Sequence, residues 1–363
     1  MKMVEHPQFL VGAFMAVVAA LVAWLFWMVP LWSRPGLYFA VTVPPEFKKT
    51  PEALDLLRSY RIQALIHTAI SFALLSAAIP RHWPLLVLGE IWLAIGPVIA
   101  FMRARERVMR HGVAPVSVRE AVLAPRAAHL PGGWILQLGP FAVLLAATIY
   151  LHLHWEQIPD RFPVHWGLDG QPNGWSVRTP AGVYGPLLLA FGVIAGISLM
   201  TYGILHHARV VRIPGSGATK YDFAHRIGFF LVAVEFFLAI IFSFAAFLPL
   251  TGNPGIAFPL IFTVLILAAT FPLAAWLNRG RAQQLTSIAT TPGSSLGDGT
   301  LDKYWKMGVF YCNPDDAALF VEARFGVGYT INFGHSSAWI VMAVVSLIVL
   351  FPLGIALTAL SHR

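Results

Sequence analysis

Long uncharged apolar runs, each of about 20 residues, constrain this chain more than any other feature, because a run of that length matches the hydrocarbon thickness of a bilayer when helical. Eight such spans are read: Phe9–Leu31, Ile62–Ile79, Leu85–Met102, Ile135–Leu153, Ala181–Leu205, Ile227–Leu250, Ile256–Asn278 and Ser337–Leu360. Composition agrees. The 363 residues are 57% hydrophobic and 12% charged, against about 25% charged in a soluble domain. The short alternating segments of a transmembrane barrel are absent. The expected fold is therefore an all-α polytopic membrane protein with a turn-rich extracytoplasmic loop and a small β-rich cytoplasmic module. The first span is too long for a signal-peptide core, and only Lys2 precedes it as a base.

Lysine and arginine set the orientation, since short cytoplasmic loops retain them. Of the 25, 20 fall in loops 32–61, 103–134, 206–226 and 279–336. The remaining five are Lys2, Arg81, Arg161, Arg178 and Arg363. Every second loop is basic, which places both termini outside and the protein in a bacterial inner membrane. The net charge of +8 is then a topology signal, reinforced by an anionic inner leaflet, and nucleic acid is not an expected partner. Tryptophans at 27, 32, 83, 134, 276 and 339 mark span ends. The single cysteine, Cys312, excludes an internal disulfide and a multi-cysteine metal site.

Five regions follow: four spans with basic loops over 1–153, the extracytoplasmic loop 154–180, spans five to seven over 181–278, a linker and module over 279–336, and the last span over 337–363. In the first cytoplasmic loop, Thr50-Pro51-Glu52 has the pattern of an N-cap followed by proline at the first helical position. Gln283–Thr300 is rich in Ser, Thr, Gly and Pro and reads as a linker. Asp302–His335 reads as short strands around an Asn313-Pro314-Asp315-Asp316 turn, too small to be stable alone and so expected to pack on its neighbours.

The loop Ile158–Pro180 concentrates the residues of chemical interest. Pro159 and Pro163 forbid helix, while Leu168-Asp169-Gly170 and Pro172-Asn173-Gly174 supply two turn signals. His165, Trp166, Asp169, Asn173 and Trp175 are the candidate ligand-binding residues, with the two tryptophans bracing a patch made by the other three. Capped turns and interfacial rings would account for each residue singly; sites concentrate on loops held by rigid scaffolds, which favours function for the loop as a whole.

The run Ile158-Pro-Asp-Arg-Phe-Pro-Val-His-Trp, followed by Gly170-Gln-Pro-Asn-Gly-Trp, resembles the signature of the SdpI family, bacterial membrane proteins named for a toxin-immunity and signalling member. The resemblance covers about 23 residues and the flanking spans. It implies envelope sensing or immunity through an extracytoplasmic peptide, toxin or small-molecule ligand, and a cytoplasmic regulator, without a cofactor. Two departures stand out: the motif follows the fourth span rather than the first, and a cytoplasmic module is added. That module is similar to a second uncharacterised module of longer relatives.

Two other readings rest on residues. Glu90 and Glu235 are the formally charged residues inside the spans; an intramembrane carboxyl is costly and marks a candidate proton- or cation-coupled transporter. His67 is a candidate partner. His152 and His154, with His165 or Asp160, have ligand types suited to zinc or copper. No zinc-protease, nucleophile-elbow or phosphate-loop motif occurs, so the chain is not read as an enzyme.

Overall fold

The computed structural model describes residues 7–33, 36–44, 46–78, 83–115, 130–166, 171–207, 221–251, 298–324 and 328–361, with isolated helical positions at 265 and 268. The seventh predicted span, most of the linker and Asp169 lie outside the described residues. Helices dominate: α1 (Pro7–Met28), α2 (Pro51–Ala78), α3 (Trp83–Val108), α4 (Gly133–Leu153), α5 (Pro180–His207), α6 (Tyr221–Thr251) and α7 (Ser336–Ser361). The strands are short and form four separate antiparallel pairs: β1 (Leu37–Tyr38) with β2 (Val41–Thr42), β3 (Arg161–Trp166) with β4 (Pro172–Val177), β5 (Trp305–Lys306) with β6 (Phe310–Tyr311), and β7 (Phe320–Glu322) with β8 (Tyr329–Ile331).

Among the described residues, four helical stretches are long and apolar enough to cross a membrane: Pro84–His111, Gly133–Leu153, Pro180–His207 and His225–Thr251. Shorter apolar helical stretches occupy Met15–Leu31 and Ser336–Ile348. Helix α2 is not among the four. Its first three turns carry Glu52, Asp55, Arg58 and Arg61, and only the part beyond Arg61 is continuously uncharged. Its start matches the sequence pattern: Thr50 Oγ1 accepts the Ala53 amide at 3.2 Å, an N-cap bond ahead of Pro51.

The helices pack in two groups, α1–α3 on one side and α4–α7 on the other. In the first, the β1–β2 hairpin tucks its whole length into a core with α2 and α3: Phe39, Ala40, Val41 and Val43 are fully buried beside Tyr60 and Phe101. Phe39 and Ala40 have positive φ, 45° and 58°, an uncommon state for residues with a Cβ. The strain is held by the Arg105 guanidinium, which donates to both their carbonyls at 3.2 and 2.5 Å. In the second group, α5 is central. It packs against α6 and α7, and small residues Gly185, Ala190, Gly192 and Gly196 on buried faces permit close approach.

The β5–β8 module joins the two groups. Arg324 is fully buried and donates to Asp298 Oδ2 at 2.9 Å, to Asp302, to the Thr300 carbonyl at 2.7 Å and to the Ala40 carbonyl at 2.9 Å. Asp302 in turn accepts from the Thr42 amide at 3.2 Å, and Arg105 donates to the Trp305 carbonyl at 3.3 Å. On the other side, the Phe320 ring lies over α5 at Gly203, where a Cβ would approach it to 2.8 Å. The module's shortage of core is thus offset by docking on the β1–β2 hairpin and α5.

Candidate functional site

The β3–β4 hairpin stands at the junction of α4 and α5. Its register pairs Arg161 with Val177, Phe162 with Ser176, Pro163 with Trp175 and His165 with Gly174, with an irregularity beside Val164. Period-two alternation turns Phe162 and Ser176 inward, and Phe162 joins Ile158, Leu151, Val183 and Leu187 in one core cluster. The hairpin is therefore seated on the helices through its base, and its tip is the exposed part.

At the tip, His165 Nδ1 lies 2.5 Å from Asn173 Oδ1 across the strands. With the amide oxygen toward the ring, Nδ1 is the donor in this contact. Gly174 is required beside this pair: a Cβ there would come within 2.7 Å of the His165 Cβ. Trp175 lies under the Arg161 guanidinium, 5.1 Å from ring centroid to Cζ, a cation–π contact of about 0.5–1 kcal/mol at such an exposed place. Trp166 is opposite Pro172 at the last paired position. His165, Asn173, Trp175 and Trp166 are thus brought together on one hairpin; Asp169 lies outside the described residues.

Arg178 fastens the base. It donates to Asp160 Oδ1 at 2.7 Å, Glu156 Oε2 at 3.2 Å and the Trp155 carbonyl at 3.3 Å, tying β4 to the turn after α4. Both carboxylates are about nine-tenths exposed, so each pair is worth at most about 1 kcal/mol and the fork serves mainly to fix direction. Arg161 and Arg178 are legible in the sequence only as two of the five basic residues outside the four basic loops. His154 is folded onto its own helix end, its Nδ1 2.8 Å from the Tyr150 carbonyl and its ring stacked on Tyr150. Among the described residues, no group of three His, Cys, Asp or Glu side chains is placed to hold a metal ion.

The two intramembrane carboxyl candidates are not brought together. Glu90 is exposed on α3. Glu235 is fully buried on α6, where Ser198 Oγ on α5 donates to its Oε1 at 2.9 Å while Oε2 has no partner among the described residues. An unsatisfied buried polar atom costs about 1–3 kcal/mol and calls for a reason. His67 belongs elsewhere, facing Trp92 between α2 and α3 at 5.4 Å.

Residues 142–190 match a domain of unknown function (DUF1648), and residues 314–339 match a family of unknown function (DUF5808). The first match contains the hairpin and the facing parts of α4 and α5; the second runs from the module's turn to the first residues of α7. No curated protein and no solved structure matches the chain. The apolar helices fit a bilayer environment, which agrees with the hydropathy of the sequence.

Proposed function

We propose that the chain is an SdpI-like, eight-span protein of a bacterial inner membrane, with both termini outside, that senses an extracytoplasmic ligand or partner at the β3–β4 hairpin and reports it to the cytoplasmic side. The observation that carries this reading is the course of α5. It starts three residues after β4, and its last turns lie under Phe320 of the module. At 1.5 Å per residue its 28 residues reach about 42 Å, so one rigid element links the hairpin to the module. His165, Asn173, Trp175 and Arg161 form the recognition face, with Trp166 and Asp169 completing the tip. Toxin immunity uses the same face and differs only in the nature of the ligand.

The test works with the ligand unidentified. A strain lacking the gene is profiled for transcripts and complemented with wild type, His165→Ala, Asn173→Ala or Trp175→Ala. The expected result is that these variants accumulate, melt within about 1 kcal/mol of wild type because they lose one exposed contact each, and fail to restore the profile. Full restoration by all three removes the hairpin as the recognition site.

A second reading has its own observation. Glu235 Oε2, without a partner among the described residues, suits a proton- or cation-coupled transporter with Ser198 as the neighbouring ligand; Glu90, the other carboxyl candidate, lies apart on α3. Glu235→Gln would then abolish ion-coupled activity in proteoliposomes while the protein still folds. A Glu235→Leu protein that complements fully ends this reading.

A further inference from the structure

Protein interiors leave few gaps wider than a water molecule, yet α4 and α5 part to form a groove of about 670 Å³ beside the hairpin. Its walls are Leu144, Leu145 and Thr148 of α4 and Ala181, Tyr184 and Leu188 of α5. The gap arises from small residues near the hairpin end, where Thr148 faces Pro180 and Ala181. It is closed below by Phe141 and Phe191, whose rings meet edge to face at 5.4 Å. Above, Trp155 and Tyr184 stack at 5.8 Å beneath the β3–β4 hairpin.

We propose that this groove holds a single hydrocarbon chain of an amphiphile from the leaflet on the hairpin side, with the amphiphile's polar head presented to the hairpin. Three observations identify the occupant. First, the lining is uncharged and, apart from the Thr148 and Tyr184 hydroxyls, apolar. Thr148 Oγ1 already donates to the Leu144 carbonyl at 2.8 Å. Second, its length fits. Pro180 at the mouth and Phe191 at the floor are eleven residues apart on α5, about 16 Å at 1.5 Å per residue. That equals one leaflet of a hydrocarbon core about 30 Å thick. Third, the groove has a floor, so it is a bounded site of ligand size rather than a stretch of lipid-facing surface. Its Tyr184 stacks on Trp155, whose carbonyl accepts from Arg178 at the base of the hairpin. Both groove and hairpin fall almost wholly within the 142–190 match.

The inference rests on the proposed function for the hairpin's role and for naming the leaflet as the outer one. It adds the ligand class: a membrane-borne amphiphile that approaches from the bilayer rather than from water.

The test uses the full chain in nanodiscs doped with a phospholipid, or separately a fatty acid, carrying a diazirine near the chain end. After illumination, adducts are mapped by mass spectrometry. Labelling is expected to concentrate on the groove peptides around Phe141 and Phe191. The exposed Leu347 and Leu350 of α7 report ordinary bilayer contact. Leu145→Trp and Leu188→Trp, at positions 61% and 42% exposed, fill the groove without touching the core. Each should reduce groove labelling to the α7 level and leave α7 labelling unchanged. Equal labelling of groove and α7 in the wild-type protein with both probes, or groove labelling indifferent to the tryptophans, overturns the proposal. Chain occupancy is read without any cellular response. A labelled groove in a protein whose hairpin variants complement fully would therefore retain the chain site and discard the sensing reading; the reverse outcome would leave sensing of a water-soluble ligand.

Discussion

Arg324 shows what one side chain can demand of its surroundings. A guanidinium with no solvent exposure needs its donors satisfied, and here Asp298, Asp302 and the Ala40 and Thr300 carbonyls satisfy them. Removing one partner of a buried ion pair leaves the other charge stranded, at a cost of about 3–5 kcal/mol. Arg324→Ala should therefore release the module: limited proteolysis of detergent-solubilised protein should cut within residues 298–335 while α4–α6 stay intact. Adding Asp298→Asn and Asp302→Asn should recover part of the protection. Tyr38 gives a second residue-scale expectation. Burial pushes its phenol up to about 12, with Arg61 acting weakly in the other direction, and its hydroxyl donates to the Ala53 carbonyl at 2.7 Å. A neutral phenol favoured by the fold contributes stability that is complete below the unfolded value near 10 and is lost as pH rises toward 12. Unfolding monitored between pH 9 and 12 should show a destabilising step that is smaller in Tyr38→Phe, the remainder coming from Tyr60, whose phenol burial also pushes up.

At the scale of elements, α5 is the connection most worth disturbing. Its last turns accommodate Phe320 because Gly203 has no side chain. Gly203→Val should push the module away, raising cysteine reactivity at the half-buried Cys312. Phe320→Ala in the same chain should restore part of the contact by removing the clashing ring, a pairing that a generally weakened helix would not show. The elements were unevenly legible in the sequence. Hydropathy marks α3 to α6 because their apolar runs are continuous, and Thr50-Pro51 marks the start of α2 because capping chemistry is local. Pro159 and Pro163 and the two turn signals mark 158–180 as non-helical and turn-rich, whereas the pairing of Phe162 with Ser176 across a hairpin is not legible from spacing. The fork of Arg178 and the Arg324 cluster join residues far apart in sequence, and spacing carries no trace of such contacts. The one local hint for Arg324 is a charged residue at the end of the apolar strand Phe320–Glu322.

For the whole molecule, the orientation rests on the alternation of basic loops and is open to direct measurement. In a background with Cys312 replaced, Asn173→Cys should react with an impermeant thiol reagent in intact cells and Lys306→Cys should react only after lysis. Labelling of both from outside would end the eight-span arrangement. Such a count needs the apolar stretches at 7–28, 62–79, 256–278 and 336–361 as well as the four long apolar helices, which is why hydropathy over the whole chain reaches further than any one helix.

The bond between Thr42 and Asp302 spans 260 positions of the chain. During synthesis at about 5–20 residues per second, the β1–β2 hairpin emerges some 13–50 seconds before the segment that covers it. Through that interval the Thr42 amide lacks Asp302, the Ala40 carbonyl lacks Arg324, and Arg105 lacks the Trp305 carbonyl. The Arg324 node is thus the last part of the α1–α3 region to be completed, because its acids and its guanidinium all lie between Asp298 and Arg324. Arg324→Ala in the full-length chain, which keeps α7 in place, should turn over faster than wild type in a pulse–chase.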